Sequence, residues 1–146
     1  MIEQNNNKVI LFVLDDDAES NEQLKWLFDR EGITDYTFFI DPEEFLKAFT
    51  SDVSIAIIDH FLMNDLNGLE VMKRILEINN KCYIIMMSGQ MSLDVIVDAF
   101  NIGAKKYVDK NRKGFYQTLI EFTKVAIHQR KQELELIQSV QPAANE

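Results

Sequence analysis

Cysteine occurs once in the 146 residues, as Cys82, so no intrachain disulfide can form and the chain suits a reducing compartment. Long apolar runs are missing. The run at 9–14 is as long as any and far too short to cross a bilayer. Residues 1–7 lack the basic and apolar regions of a signal peptide. Positive charge is scarce, with 15 Lys and Arg against 24 Asp and Glu, a formal net charge of -9. Such a balance argues against a nucleic-acid surface and suits a bound cation or a basic partner. Internal repeats and low-complexity tracts are absent. These absences lead to the expectation of a cytoplasmic protein with one domain at 8–127. A polar leader at 1–7 would precede it, and a helix extension with a polar tail at 128–146 would follow.

What is present alternates. Five short apolar or aromatic runs fall at 9–14, 36–40, 55–58, 83–87 and 106–108, each followed by a stretch with helical spacing. Leu24, Leu27 and Phe28 make one apolar face; Leu69, Met72, Ile75 and Leu76 a second; Leu93, Ile96, Val97 and Phe100 a third. Asp41 followed by Pro42 and two glutamates reads as an N-cap, an N1 proline and an acidic first turn. Ser92 is placed to cap the fourth helix, and Phe115, Leu119, Phe122 and Ala126 line the fifth. Strand followed by helix, five times over, implies a mostly parallel sheet covered on both faces. The runs at 55–58 and 83–87 are apolar on both sides, as central parallel strands should be. Ligands of such sheets bind at the carboxyl ends of the strands.

The residues at those ends carry the chemistry. Asp15, Asp16 and Asp17 follow the first strand, Asp59 the third, Ser88 and Gly89 the fourth, and Lys110 the fifth. Singly, each has an ordinary explanation as a cap, a turn or a solvated side chain. Converging on one sheet edge, crowded carboxylates repel unless a cation offsets them, and oxygen-only ligands on loops suit Mg²⁺. A hydroxyl and an amine opposite the metal would serve the other oxygens of a transferred phosphoryl group.

Leu14-Asp15-Asp16-Asp17, Ile58-Asp59, Asn67-Gly68-Leu69-Glu70, Met87-Ser88-Gly89 and the stretch from Gly103 to Lys110 resemble the landmarks of the receiver domain of two-component response regulators. The resemblance spans about 8–127. It implies a flavodoxin-like, doubly wound sheet in the order 2-1-3-4-5. It also implies a phosphoacceptor rather than an enzyme, with intrinsic autodephosphorylation at most. Asp59 would accept phosphoryl from a phosphohistidine of a sensor histidine kinase or phosphotransfer protein. Asp16 would bind Mg²⁺ directly and Asp15 mainly through water, with Asp59 and the carbonyl of Phe61 as further ligands. Lys110 would pair with phosphoryl oxygens. Ser88 would move toward the phosphoryl group and let Tyr107 turn inward. Asp17 matches no site position and reads as a cap or first-turn residue.

The sequence departs from the family pattern in three places. Gly68 stands one residue further from Asp59 than usual, with Met63 nearest the customary proline. Asn111 replaces a proline after Lys110, which favours a trans bond there. Phe61 occupies a position where a polar side chain often orients hydrolytic water, and His60 beside it reads as a loop or surface residue. Two enzyme-like or redox alternatives fail on motif: a haloacid-dehalogenase-type phosphatase lacks its late acidic motif, and a flavodoxin would not carry an acidic first loop. A phosphorylation-independent binding module is the remaining alternative. Helical sequence continues past the domain without Gly or Pro until Pro142, and Ile120, Ile127 and Leu134 recur every seven residues, with Ile137 following. The expectation is a projecting helix that packs on a partner, most simply a second copy, with helix four, strand five and helix five as the contact surface.

Overall fold

A computed structural model describes residues 8–62, 66–90 and 92–140. The leader at 1–7, Met63 and the end of the tail at 141–146 lie outside the described residues. In chain order the elements are β1 (Ile10–Leu14), α1 (Ala18–Arg30), β2 (Tyr36–Phe39), α2 (Pro42–Ala48), β3 (Val53–Asp59), α3 (Gly68–Ile78), β4 (Tyr83–Ser88), α4 (Leu93–Ile102), β5 (Lys106–Asp109) and α5 (Phe115–Val140). The strands form one sheet, in the expected order β2-β1-β3-β4-β5, and all four pairings are parallel. No described helix is long and apolar enough to cross a membrane.

Helix starts follow local chemistry. Asp17 caps α1 by accepting from the Glu19 N–H at 3.1 Å, and Asp41 caps α2 by accepting from the Glu43 N–H at 2.9 Å with Pro42 next in line. Asn67 does the same for α3 through the Glu70 N–H. Ser92 occupies the N-cap position of α4 but its side chain makes no capping hydrogen bond. Strand β3 is buried along its whole length, the consequence of its central place between β1 and β4.

Alternation along the strands divides the core in two. On one face Leu14, Ala56, Ile58, Ile84 and Met86 pack with Phe45 of α2 and Val71, Met72 and Ile75 of α3. On the other, Val13, Ile55, Ile57, Ile85 and Met87 pack with Leu24 and Phe28 of α1 and Leu119, Ile120 and Ala126 of α5. The single tryptophan takes no part: Trp26 of α1 is 61% exposed, with the Arg30 guanidinium 5.4 Å over its ring.

Two expectations about helix faces need correction. On α4, Leu93, Val97 and Phe100 are exposed, at 76%, 47% and 47%, while Ala99 turns inward and Ile96 is half-buried. Apolar residues take up most of the circumference of α4, with Asp94, Asp98 and Asn101 in a single polar stripe, so spacing does not choose which apolar residues are buried, and the small Ala99 lets the backbone approach the sheet. On α5, Ile120, Ile127 and Leu134 pack against the domain's own core and form no separate seam. Seven residues are nearly two helical turns, so a heptad and a core-facing stripe coincide over this length. The helix also continues to Val140, well into the expected extension and tail at 128–146, and exposes Leu136, Ile137 and Val140.

Candidate functional site

Four strand ends meet at the carboxyl edge of the sheet. Asp59 and Ser88 are the last residues of β3 and β4, a little inside the positions expected from sequence, so ladder hydrogen bonds fix their backbones. Asp15 follows β1 directly. Its carboxylate accepts from the Asp17 N–H at 3.0 Å, and its carbonyl accepts from Asn21 Nδ2 at 2.9 Å. Lys110 follows β5, and its N–H donates to the Ser88 carbonyl at 2.8 Å.

The side chains converge. Carboxylate oxygens of Asp15, Asp16 and Asp59 lie within 4.8 Å of one another. Lys110 Nζ donates to Asp15 at 2.7 Å and to Asp59 at 3.0 Å. Asp15 and Asp59 are 1% and 5% exposed, so this is a buried cluster of charge open at one side through Asp16. Burial pushes the Asp59 carboxyl up to about 6; the Lys110 ammonium offsets part of that and the charge of Asp15 adds to it. Burial followed by the charge of Asp15 also raises Asp16. At Lys110 burial opposes the ammonium form, but hydrogen bonds to Asp15 and Asp59 and their charges outweigh it, and the net direction is upward. Three carboxylates at this spacing exceed what one lysine neutralises. An all-oxygen donor set short of positive charge fits a hard divalent cation such as Mg²⁺.

Around this centre the remaining expected residues are placed as follows. Ser88 Oγ donates to the Gln90 carbonyl at 2.9 Å and accepts from the Gln90 N–H at 3.0 Å, which ties it to the loop before α4. Tyr107, opposite Met86 in the ladder, already has its hydroxyl buried. Its ionisation is pushed up by burial, which the nearby Ser88 hydroxyl partly offsets, yet no hydrogen bond of acceptable geometry reaches its oxygen. Phe61 is largely exposed, and its N–H donates to Asp59 at 3.3 Å. His60 lies in the loop after β3, as expected, but is buried rather than on the surface, and its ring meets Phe61 edge-on at 4.7 Å.

The longer loop after Asp59 keeps its ends together: the Gly68 N–H donates to the His60 carbonyl at 2.9 Å. Gly68 has no alternative here, because a Cβ would stand 2.6 Å from the Asp59 carbonyl oxygen and 2.9 Å from His60 Cα. No cis peptide bond occurs among the described residues, so Lys110–Asn111 is trans as expected. Asn111 ties the fifth-strand loop to the fourth through a hydrogen bond from its side chain to the Gly89 carbonyl.

Sequence reasoning missed Asn21, which is buried on α1 and holds the backbone of Asp15. The available signal was a polar residue three and seven positions before Leu24 and Phe28 on a face that is otherwise apolar. Two depressions of 640 Å³ and 1010 Å³ lie at the opposite, amino-terminal edge of the sheet, and neither touches the acidic cluster. The edge that concentrates charge and hydrogen bonding is the candidate site.

Comparison with known proteins agrees with this geometry. The model of the response regulator receiver domain family matches residues 11–118. The transcriptional regulatory protein FixJ of Bradyrhizobium diazoefficiens is 29% identical over 100 residues, covering 68% of this chain and 48% of that protein. The DNA-binding transcriptional regulator NtrC of Escherichia coli K12 is 29% identical over 105 residues, covering 69% of this chain and 21% of NtrC. The chain thus spans about half the length of one curated relative and about a fifth of the other. Among solved structures, a receiver domain protein (CheY-like) from Methanospirillum hungatei superposes with a TM-score of 0.75 at 23% identity, covering 86% of this chain and 99% of that one. The signal receiver domain of a LuxO repressor protein from Vibrio parahaemolyticus gives 0.77 at 18% identity, covering 89% and 97%. At these identities the structural likeness establishes the fold.

Proposed function

The chain belongs to the response regulator receiver domain family of two-component systems, and from that premise we propose that it is switched by transfer of a phosphoryl group onto Asp59. The observation that carries the proposal is the buried meeting of Asp15, Asp16, Asp59 and Lys110 at one sheet edge. A family member that had given up phosphorylation would have no use for this arrangement, whose buried like charges work against stability.

In the proposed reaction a carboxylate oxygen of Asp59 attacks the phosphorus of a phosphohistidine on a histidine kinase or phosphotransfer protein. The N–P bond breaks in line, its electron pair stays on the imidazole nitrogen, and an acyl phosphate forms on Asp59. Mg²⁺ held by Asp15, Asp16, Asp59 and the Phe61 carbonyl would supply electrostatic stabilisation of the transferring oxygens. Lys110, already bonded to Asp59, is positioned to follow the charge from the carboxylate onto the phosphoryl oxygens. Ser88 then exchanges its bonds to Gln90 for one to the phosphoryl group, which couples the acceptor to the loop before α4 and to Tyr107. Phosphoryl loss is slow, because neither Phe61 nor Gln90 is a carboxylate able to activate water.

The output is a change in protein contacts in a cytoplasmic setting. Leu93, Val97 and Phe100 give α4 an exposed apolar stripe beside β5 and α5, suited to a contact whose strength follows the state of the β4–α4 loop. A second copy of the chain is the occupant we propose for that surface. The test of the central proposal is exposure to acetyl phosphate with Mg²⁺. A mass increase of one phosphoryl group, absent in Asp59→Asn, supports it; no uptake by the wild-type protein refutes it.

A further inference from the structure

His60 follows the acceptor directly in sequence and has no role in the transfer chemistry above. It is nevertheless only 7% exposed, and its ring Nδ1 is buried with no hydrogen-bond partner. Tyr107 Oη is also buried with no partner. The two atoms belong to the same neighbourhood. Ala56 and Ile58 point into the core beneath α3, and alternation puts His60 on that face; Ile84 and Met86 do the same for Ser88, and Tyr107 packs against the same cluster. The His60 N–H donates to the Met87 carbonyl at 2.9 Å, so His60 stands beside Ser88 in the ladder. Tyr107 pairs with Met86 and Asp109 with Ser88, which sets Tyr107 diagonally across from Ser88 on its other side. Ser88 thus separates two orphaned polar atoms.

Those atoms are chemically complementary. A phenol hydroxyl is a donor, and a neutral imidazole protonated on Nε2 presents an acceptor at Nδ1. Buried polar groups in native proteins nearly always find partners. Ser88 satisfies neither atom in this structure: its proton goes to the Gln90 carbonyl and its oxygen accepts from the Gln90 N–H, while Tyr107 Oη and His60 Nδ1 stay unpartnered.

We propose that His60 Nδ1 accepts the hydrogen bond of the inward Tyr107 hydroxyl once Ser88 turns toward the phosphoryl group, which makes His60 a positioning residue of the switch. Rotation of Ser88 Oγ removes the obstacle between the two side chains and releases the loop at Gln90. The Tyr107–His60 bond then holds the tyrosine inward for as long as Ser88 is engaged. The inference rests on the reading of Asp59 as the phosphoacceptor.

A double-mutant cycle tests it, read as the beryllofluoride concentration that gives half of the thermal stabilisation in the presence of Mg²⁺. His60→Phe keeps an aromatic ring without an acceptor, His60→Asn keeps an acceptor near Nδ1, and Tyr107→Phe removes only the hydroxyl. His60→Phe and Tyr107→Phe should each raise that concentration about tenfold, and the double variant should be no worse than either alone. His60→Asn should fall within about threefold of wild type. Melting temperatures without beryllofluoride separate this effect from a merely structural one, which would move the baseline instead. Wild-type behaviour in His60→Phe, multiplicative effects in the double variant, or His60→Asn as weak as His60→Phe would each overturn the inference while leaving the acceptor intact. A wild-type protein that does not respond to beryllofluoride at all would overturn both.

Discussion

Asp59→Asn should stabilise the metal-free protein, and the size of the gain follows from the carboxylate's surroundings. Asp59 is buried at the end of β3, beside Asp15, and its carboxyl is pushed from 3.8 up to about 6 even though Lys110 donates to it at 3.0 Å. At about 1.4 kcal/mol per pKa unit, ionising it in the folded state costs about 3 kcal/mol more than in the unfolded chain. Asparagine stands in for the protonated form, and Lys110 keeps Asp15 at 2.7 Å, so no buried ammonium is stranded. Relaxation of the side chains around the buried carboxylate reduces the gain, and about 2 kcal/mol is expected at pH 7.5, a rise in Tm of roughly 4–8 °C for a chain of this size. The dependence on pH has a definite sign. Between about pH 4 and 6 the folded wild-type protein holds this proton more tightly than the unfolded chain does. Its stability relative to the variant therefore declines as pH rises through that window, and below it the two converge. Chemical denaturation in EDTA across pH 4–8 measures the difference. A variant equal to or weaker than wild type at pH 7.5 would refute the reasoning about burial at Asp59.

Asp16→Ala should abolish the rise in Tm that Mg²⁺ produces in the wild-type protein by mass action while leaving the fold intact; a retained metal response would remove Asp16 from the site. The acyl phosphate should decay over many minutes or longer and Phe61→Asn should shorten its life, which loss of the phosphoryl mass with time will show. Gly68→Ala should cost about 3 kcal/mol or more in urea unfolding, because the new methyl meets backbone of Asp59 and His60, which cannot yield as the neighbouring Met86 methyl can. Sedimentation of the full chain and of a version ending at residue 127, with and without beryllofluoride, should show self-association strengthened by the mimic. Monomers throughout would exclude the second copy as partner.

The alternation of strands and helices was legible in the sequence because buried parallel strands and amphipathic helices have different periods. The site was legible because its residues sit where strands end. Harder to read was which side of a helix faces in when apolar residues fill most of its circumference, as on α4, where packing against β5 and α3 decides and Ala99 is chosen over Phe100. A heptad on α5 looked like a seam because core contact and coiled-coil spacing cannot be told apart over two or three repeats. Asn21 and His60 escaped because their importance lies in what they touch. One holds a carbonyl and the other turns its ring inward; spacing puts Asn21 on the buried face of α1 without naming its partner, and for His60 it gives no sign at all.

Trp26 makes the protein's own fluorescence a reporter of an unusual kind. With one face against Arg30 and most of the ring in water, its indole meets nearly the same surroundings in the folded and unfolded chain. Emission will therefore say little about whether the two cores are intact, and melting curves followed at this wavelength will look flat beside those from circular dichroism. Any protein that settles on helix α1 would cover the ring and displace the guanidinium above it, so the same signal will register docking on that helix without an added dye.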